Sequence, residues 1–199
     1  MQYTGCRPLT DGEYSAILNA FDGRYRLRDQ ALFELGVRTG FRISEILAVK
    51  VGDVFREGKI LGALTVKRCW MKGKYNDRSM PLHPIAAKRI EEWIRETGFD
   101  HPEMKEQPLF SRQHTCKALS RMQAWTILKR TAIKAGLDAH RVASHSMRKT
   151  FASRMWNSPF VQKDMAKMAR LLGHQNYSNT LRYLEFLDTS LESAVLTSA

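Results

Sequence analysis

The sequence is poor in acidic residues, cysteine, proline and long apolar runs, and each shortage closes off a class of protein. No uncharged apolar run approaches the ~20 residues that a helix needs to span a bilayer. The amino terminus, Met1-Gln2-Tyr3-Thr4-Gly5-Cys6, lacks the basic-then-apolar pattern of a secretory signal. Cys6, Cys69 and Cys116 are far apart, show no metal-ligand spacing and cannot all pair internally. That usage fits a reduced, cytoplasmic setting. The 6 prolines are dispersed, and neither an internal repeat nor a low-complexity tract is visible. The acidic shortage is the most telling: 20 Asp+Glu face 32 Lys+Arg, a formal charge of +12.

What is present argues for a folded domain. Hydrophobic residues make up 43% of the 199 and aromatics 10%, too many for a disordered chain. The length suits one domain, or one with a small appendage, able to bury roughly 70% of its unfolded surface. A folded domain this basic calls for a polyanionic partner, and nucleic acid is the obvious one. The basic residues are spread along the chain: Arg24, Arg26 and Arg28, then Lys72 and Lys74, then Lys163, Lys167 and Arg170. That distribution suits phosphate contacts from several elements of a structured surface. A membrane surface fits less well, because no basic amphipathic helix has an aromatic face.

Helix signals bracket the chain. Thr10 and Glu13 form a capping box ahead of Ile17, Leu18 and Phe21. A second helix is expected over about 27–38, stopped by Gly40, and a short one around Ile43, Ile46 and Leu47. Between Val49 and Pro81 glycines separate β-prone pieces at 59–61, 64–66 and 78–80. They predict a small three-stranded antiparallel sheet, its last turn at 72–77. Pro84 opens another helix, to about Glu96. Residues 97–117 read as a long polar connection. A capping box at Ser120 and Gln123 starts a helix with Trp125, Leu128 and Ala132 on one side. From Ser144 the chain is helical again, broken at 157–159 and at Gly173. The fold class expected is α+β and mainly α: a helical bundle with a small sheet inserted in its first half.

Several short patterns could carry chemistry. His145 and Arg148 are three apart, so a helix sets them about 60° from each other on one face. Met147, Phe151 and Met155 can anchor that helix. An imidazole beside a guanidinium suits an oxyanion such as phosphate; alone, the pair reads as well as an ordinary surface pair. Gly173-His174 follows a helix end, and Tyr183 lies nine residues after His174. Each of the two would pass singly for a packing residue. Arg42 follows Gly40, with Glu45 placed to fix its guanidinium; singly, this is an intrahelical ion pair of little worth. Lys72 sits in the expected hairpin turn, where it reads equally as a solvated turn lysine.

As an ordered set these patterns resemble the catalytic domain of the tyrosine recombinases, the phage integrase family. Residues 39–47 (Thr-Gly-Phe-Arg-Ile-Ser-Glu-Ile-Leu) match its first box and 144–153 its second, and Leu171-Leu172-Gly173-His174 through Tyr183 completes it. The resemblance runs from about Leu9 to Leu187.

It implies DNA strand cleavage by transesterification, with Tyr183 as nucleophile forming a 3′-phosphotyrosine link and freeing a 5′-hydroxyl. Arg42 and Arg148 would clamp the phosphate oxygens. His145 would assist proton transfer, His174 would hydrogen-bond the phosphate, and Lys72, or alternatively Lys74, would protonate the leaving oxygen. No metal or other cofactor is implied. Tyr177 is the next tyrosine in line for the nucleophile. The implied partner is double-stranded DNA, bound by a homo-tetramer that is monomeric when free, with accessory DNA-bending or directionality proteins and no membrane. The setting implied is bacterial cytoplasm and nucleoid, with the gene bacterial or phage- or plasmid-encoded.

The family's usual N-terminal core-binding domain has no room here, so residues 1–199 are expected to form a single catalytic domain. Its tail, about 188–199, carries leucines spaced to dock on a neighbouring protomer or on the domain's own core. The activity expected is site-specific recombination, for integration or excision of a mobile element. DNA inversion by a short-form recombinase, topoisomerase-like relaxation and a catalytically silent DNA-binding regulator are the alternatives.

Overall fold

The computed structural model describes residues 6–67, 77–112, 117–174 and 176–184. Its first helix, α1 (Asp11–Ala20), begins at the expected capping box. The Glu13 amide donates to Thr10 Oγ1 at 3.2 Å, and the Thr10 amide donates to the Glu13 carboxylate at 3.0 Å. α2 (Arg26–Thr39) runs through the core, with Ala31, Leu32, Phe33, Leu35 and Val37 all buried. The short α3 (Ile43–Leu47) follows. Two hairpins come next, then α4 (Pro84–Thr97), α5 (Arg121–Lys134), α6 (Ser144–Trp156), α7 (Met165–Leu172) and α8 (Tyr177–Leu184). No helix among the described residues is long and apolar enough to cross a membrane.

α4 and α6 pack on α2. The α6 stripe works as its spacing suggests: Met147 and Phe151 are buried, with Met155 packed at the edge. They fit because α2 is notched opposite them. A Cβ on Gly36 would lie 2.7 Å from Met147 Sδ, and one on Gly40 would overlap the Phe151 ring. Gly40 also takes φ +60°, a backbone region that side chains disfavour. The pairing of α2 and α6 thus rests on two missing side chains.

The expected mainly helical α+β class holds, but the strands divide differently. Among the described residues there are two separate two-stranded antiparallel sheets. β1 (Phe55–Arg56) pairs with β2 (Lys59–Ile60) across Glu57-Gly58. Both turn residues have positive φ, the geometry that lets a two-residue turn follow the strand twist. β3 (Ala63–Val66) pairs with β4 (Arg78–Pro81). The segment 59–61 therefore finds its partner upstream, in a strand begun by Phe55 that the glycine spacing did not reveal. The expected turn around Lys72 and Lys74 lies outside the described residues, as do Leu187 and the tail beyond it.

Two further expectations change. The connection 97–117 is not simply polar: Leu109 and Phe110 are fully buried, and Leu109 O accepts from Trp93 Nε1 at 2.7 Å. On α5, Leu128 and Ala132 are buried together with Ala124, but Trp125 is 44% exposed. The ammonium of Lys129 sits 5.5 Å from the Trp125 ring centroid, so the indole lies along the helix surface.

Candidate active site

Two of the helices that end in left-handed glycines meet here, α2 at Gly40 and α7 at Gly173, each at φ +60°. A helix C-terminus leaves carbonyls without intrahelical donors and carries a partial negative charge. Two arginines meet the carbonyls of both ends. Arg148, on α6 and only 1% exposed, donates from Nη1 to Gly40 O and from Nη2 to Leu172 O at 2.6 Å. Arg78, which starts β4 and is 7% exposed, donates from Nη2 to Thr39 O at 2.8 Å. Its Nη1 lies 3.5 Å from Leu172 O and 3.9 Å from Glu45 Oε2. The Arg78 guanidinium rests on the Phe41 ring, 4.5 Å from its centroid.

Arg42 occupies the residue before α3. Its amide donates to Glu45 Oε2 at 2.7 Å and its Nη1 to Glu45 Oε1 at 3.1 Å. Glu45 is buried while the Arg42 side chain is 41% exposed, so a fixed carboxylate holds a guanidinium that still faces outward. His145 sits in the first turn of α6, one turn before Arg148 and exposed. The two share a face, as their spacing requires, but at different depths.

His174 follows Gly173. Its Nε2 lies 2.9 Å from Arg148 Nη2 and its Nδ1 lies 3.0 Å from Thr180 Oγ1. A guanidinium can only donate, so Nε2 carries the lone pair and Nδ1 the proton. Thr180, buried on α8, accepts that proton and ties α8 to the turn. Tyr183, one turn further on, is half-buried. Its ring centroid lies 5.3 Å from that of His174, and Arg148 Cζ lies 5.5 Å from the Tyr183 centroid.

The electrostatics are those of crowded cations. Burial, with the nearby Arg148 charge, brings the Arg78 guanidinium down to about 9. Burial likewise lowers Arg148, against the pull of Tyr183 and Glu45. His145 falls below the ordinary histidine value through desolvation, then through the charges of Arg148, Lys149 and Arg42. Cations this close hold their protons less readily because each repels the others. An anion entering beside Arg42 and Arg148 relieves that repulsion. A hollow of about 420 Å³ lies at the other end of α2, lined by Tyr25, Trp93, Phe99 and Arg112 among others.

The structure thus brings Arg42, His145, Arg148, His174 and Tyr183 into one neighbourhood from α2–α3, α6, the α7 turn and α8. Lys72 and Lys74 lie outside the described residues. Tyr177, at the start of α8, is exposed. Two members escaped the sequence reading. Thr180 carries no distinguishing pattern. Arg78 does: strand alternation that turns Met80 inward must turn Arg78 inward as well, and a charge at an inward position is a signal.

The model of the phage integrase family matches residues 7–189, and the chain belongs to that family. Tyrosine recombinase XerC of Herpetosiphon aurantiacus is 32% identical over 158 residues, covering 79% of this chain and 47% of its own length. The probable integrase/recombinase YoeC of Bacillus subtilis is 31% identical over 158 residues, covering 79% of this chain and 77% of its own length. Among solved structures, the XerH site-specific recombinase bound to palindromic difH substrate, in a post-cleavage complex, superposes with a TM-score of 0.72. That match has 24% identity and covers 96% of this chain and 53% of the other, a likeness of fold. The chain spans about half the length of the Xer relatives it matches.

Proposed function

We propose that residues 1–199 form the catalytic domain of a tyrosine-type site-specific DNA recombinase, acting on double-stranded DNA through a 3′-phosphotyrosine intermediate. The observation that carries this reading is the meeting of Tyr183 with Arg148 and His174, beside the outward-facing Arg42. The Tyr183 phenolate oxygen attacks the scissile phosphorus and the bond from phosphorus to the 5′-oxygen breaks. Energy of the diester is kept in the tyrosyl ester, so the reverse step needs no external energy source. Arg42 and Arg148 offset the charge that grows on the non-bridging oxygens. His145, held below its ordinary value and therefore largely neutral near pH 7, takes up the phenolic proton. His174 hydrogen-bonds the phosphate once Arg148 turns toward it. Lys72 protonates the departing 5′-oxygen.

The basic composition supports a DNA partner, and in this reading four copies assemble on it, aided by accessory DNA-bending or directionality proteins. Integration or excision of a mobile element is our reading of the reaction's purpose, which the likeness to a probable integrase/recombinase supports. The Xer relatives support site-specific recombination without that direction.

The test is a covalent trap. The protein is mixed in EDTA with supercoiled plasmid carrying the DNA that flanks its own gene, and quenched with detergent. A protein–DNA adduct with the wild type, absent with Tyr183→Phe, is the expected result. Intact DNA binding with no wild-type adduct would favour a silent regulator instead.

A further inference from the structure

Arg78 is a buried charge that the proposed chemistry does not use. Its strand position could take an apolar side chain at lower cost, as Met80 does two residues later, because an arginine there loses its hydration. What an arginine adds is a planar fork with donors aimed at separate acceptors. Here the fork reaches Thr39 O at the end of α2 and Leu172 O at the end of α7. Its edge faces Glu45, the carboxylate that holds Arg42. The Phe41 ring beneath the guanidinium keeps the fork from swinging away. Arg148 shares Leu172 O with Arg78 and takes Gly40 O, the carbonyl next to Thr39.

We infer that Arg78 is a positioning residue, bridging the Thr39–Arg42 turn to the Leu172–His174 turn so that Arg42, Arg148 and His174 present themselves to one phosphate. This inference rests on the recombinase reading. Arg148 uses Nη1 on Gly40 O and Nη2 on Leu172 O and His174, so turning that edge toward a phosphate takes donors from both turns. Arg78 holds the turns in its place and leaves Arg148 able to rotate from His174 toward an incoming oxyanion. A lysine at 78 would keep the charge and lose the bridge, since one ammonium cannot span both turns with the same rigidity.

The experiment compares wild type, Arg78→Lys and Arg78→Met below their melting temperatures. The first readout is the ring-nitrogen NMR pattern of His174 in the free protein, which a purely structural role of Arg78 would leave unchanged. Wild type should show a proton on Nδ1 and a lone pair on Nε2. Arg78→Met should show mixed tautomers as the Leu172 turn shifts against Arg148. The second readout is the rate of adduct formation on the same plasmid. It should fall about 10–100-fold, the size of effect that an ångström of misplacement produces, while gel-shift affinity stays within about twofold. Arg78→Lys should fall between the two, and it carries the test if Arg78→Met does not fold. A wild-type His174 pattern in the variants, or an unchanged adduct rate, would overturn the inference. No adduct with the wild type would overturn the recombinase reading, and the His174 pattern would still decide whether Arg78 positions these turns.

Discussion

α6 and α8 both bring side chains to the cluster, but they are held in different ways. α6 is locked: Met147 and Phe151 fill notches at Gly36 and Gly40, and Arg148 is tied to backbone carbonyls of two other elements. α8 buries Thr180 and Leu184 but leaves Tyr177 and Leu181 largely in solvent, and among the described residues its polar ties to the cluster run from Thr180 to His174 and from Tyr183 to Arg148. The side chains proposed to bind phosphate thus stand on a rigid floor. The proposed nucleophile rides on a short helix with a lighter attachment.

The largest effects are expected at the α6 floor. Arg148→Ala removes the donors of Gly40 O and Leu172 O and leaves a void, so it should cost about 3–5 kcal/mol in a urea melt and abolish the adduct. Arg42→Ala, on a guanidinium 41% exposed, should abolish the adduct while costing about 1 kcal/mol or less. Equal stability losses in the two variants would refute the contrast between a buried and an open arginine. Next comes Gly40→Ala, which sets a Cβ against Phe151 at positive φ and should cost about 2–4 kcal/mol by the same melt.

The lighter half should respond locally. Thr180→Val removes the acceptor of the His174 Nδ1 proton and should cost about 1 kcal/mol. Amide exchange should quicken in α8 while α2 and α6 keep wild-type protection; quickening spread evenly over all three would show that α8 is not a separate unit. The smallest effect expected is on pH dependence. His145 in the folded chain lies below its ordinary 6.5, so the unfolded chain takes up the proton first as pH falls. Its contribution is therefore complete above about pH 6.5 and declines as pH falls below it. His145→Gln should flatten the stability profile between pH 6.5 and 5, as followed by thermal melts.

Much of this division could be read from residue order. Gly40 and Gly173 mark helix ends because their backbone geometry excludes most side chains. The Thr10–Glu13 and Ser120–Gln123 boxes mark helix starts because their bonds are local. The spacing of Met147, Phe151 and Met155 marks the face of α6 that meets α2. What sequence could not show depended on distant partners. Residues 59–60 pair with Phe55-Arg56 rather than with 64–66, because register is decided by contacts outside the segment. Leu109 and Phe110 are core residues in a stretch whose composition is polar. Trp125 faces outward while Ala124 and Leu128 beside it on α5 are buried. The burial of Arg78 follows from strand alternation, yet its meaning depends on two helix ends far away in sequence.

Tyr183 is the proposed nucleophile of a DNA-cleaving site. The most direct test is to digest the detergent-trapped adduct with nuclease and protease and to locate the nucleotide-linked residue by mass spectrometry. A nucleotide on the peptide containing Tyr183, with fragment ions placing it on that side chain, is the expected result. A nucleotide on Tyr177, or on any residue outside α8, would contradict the account.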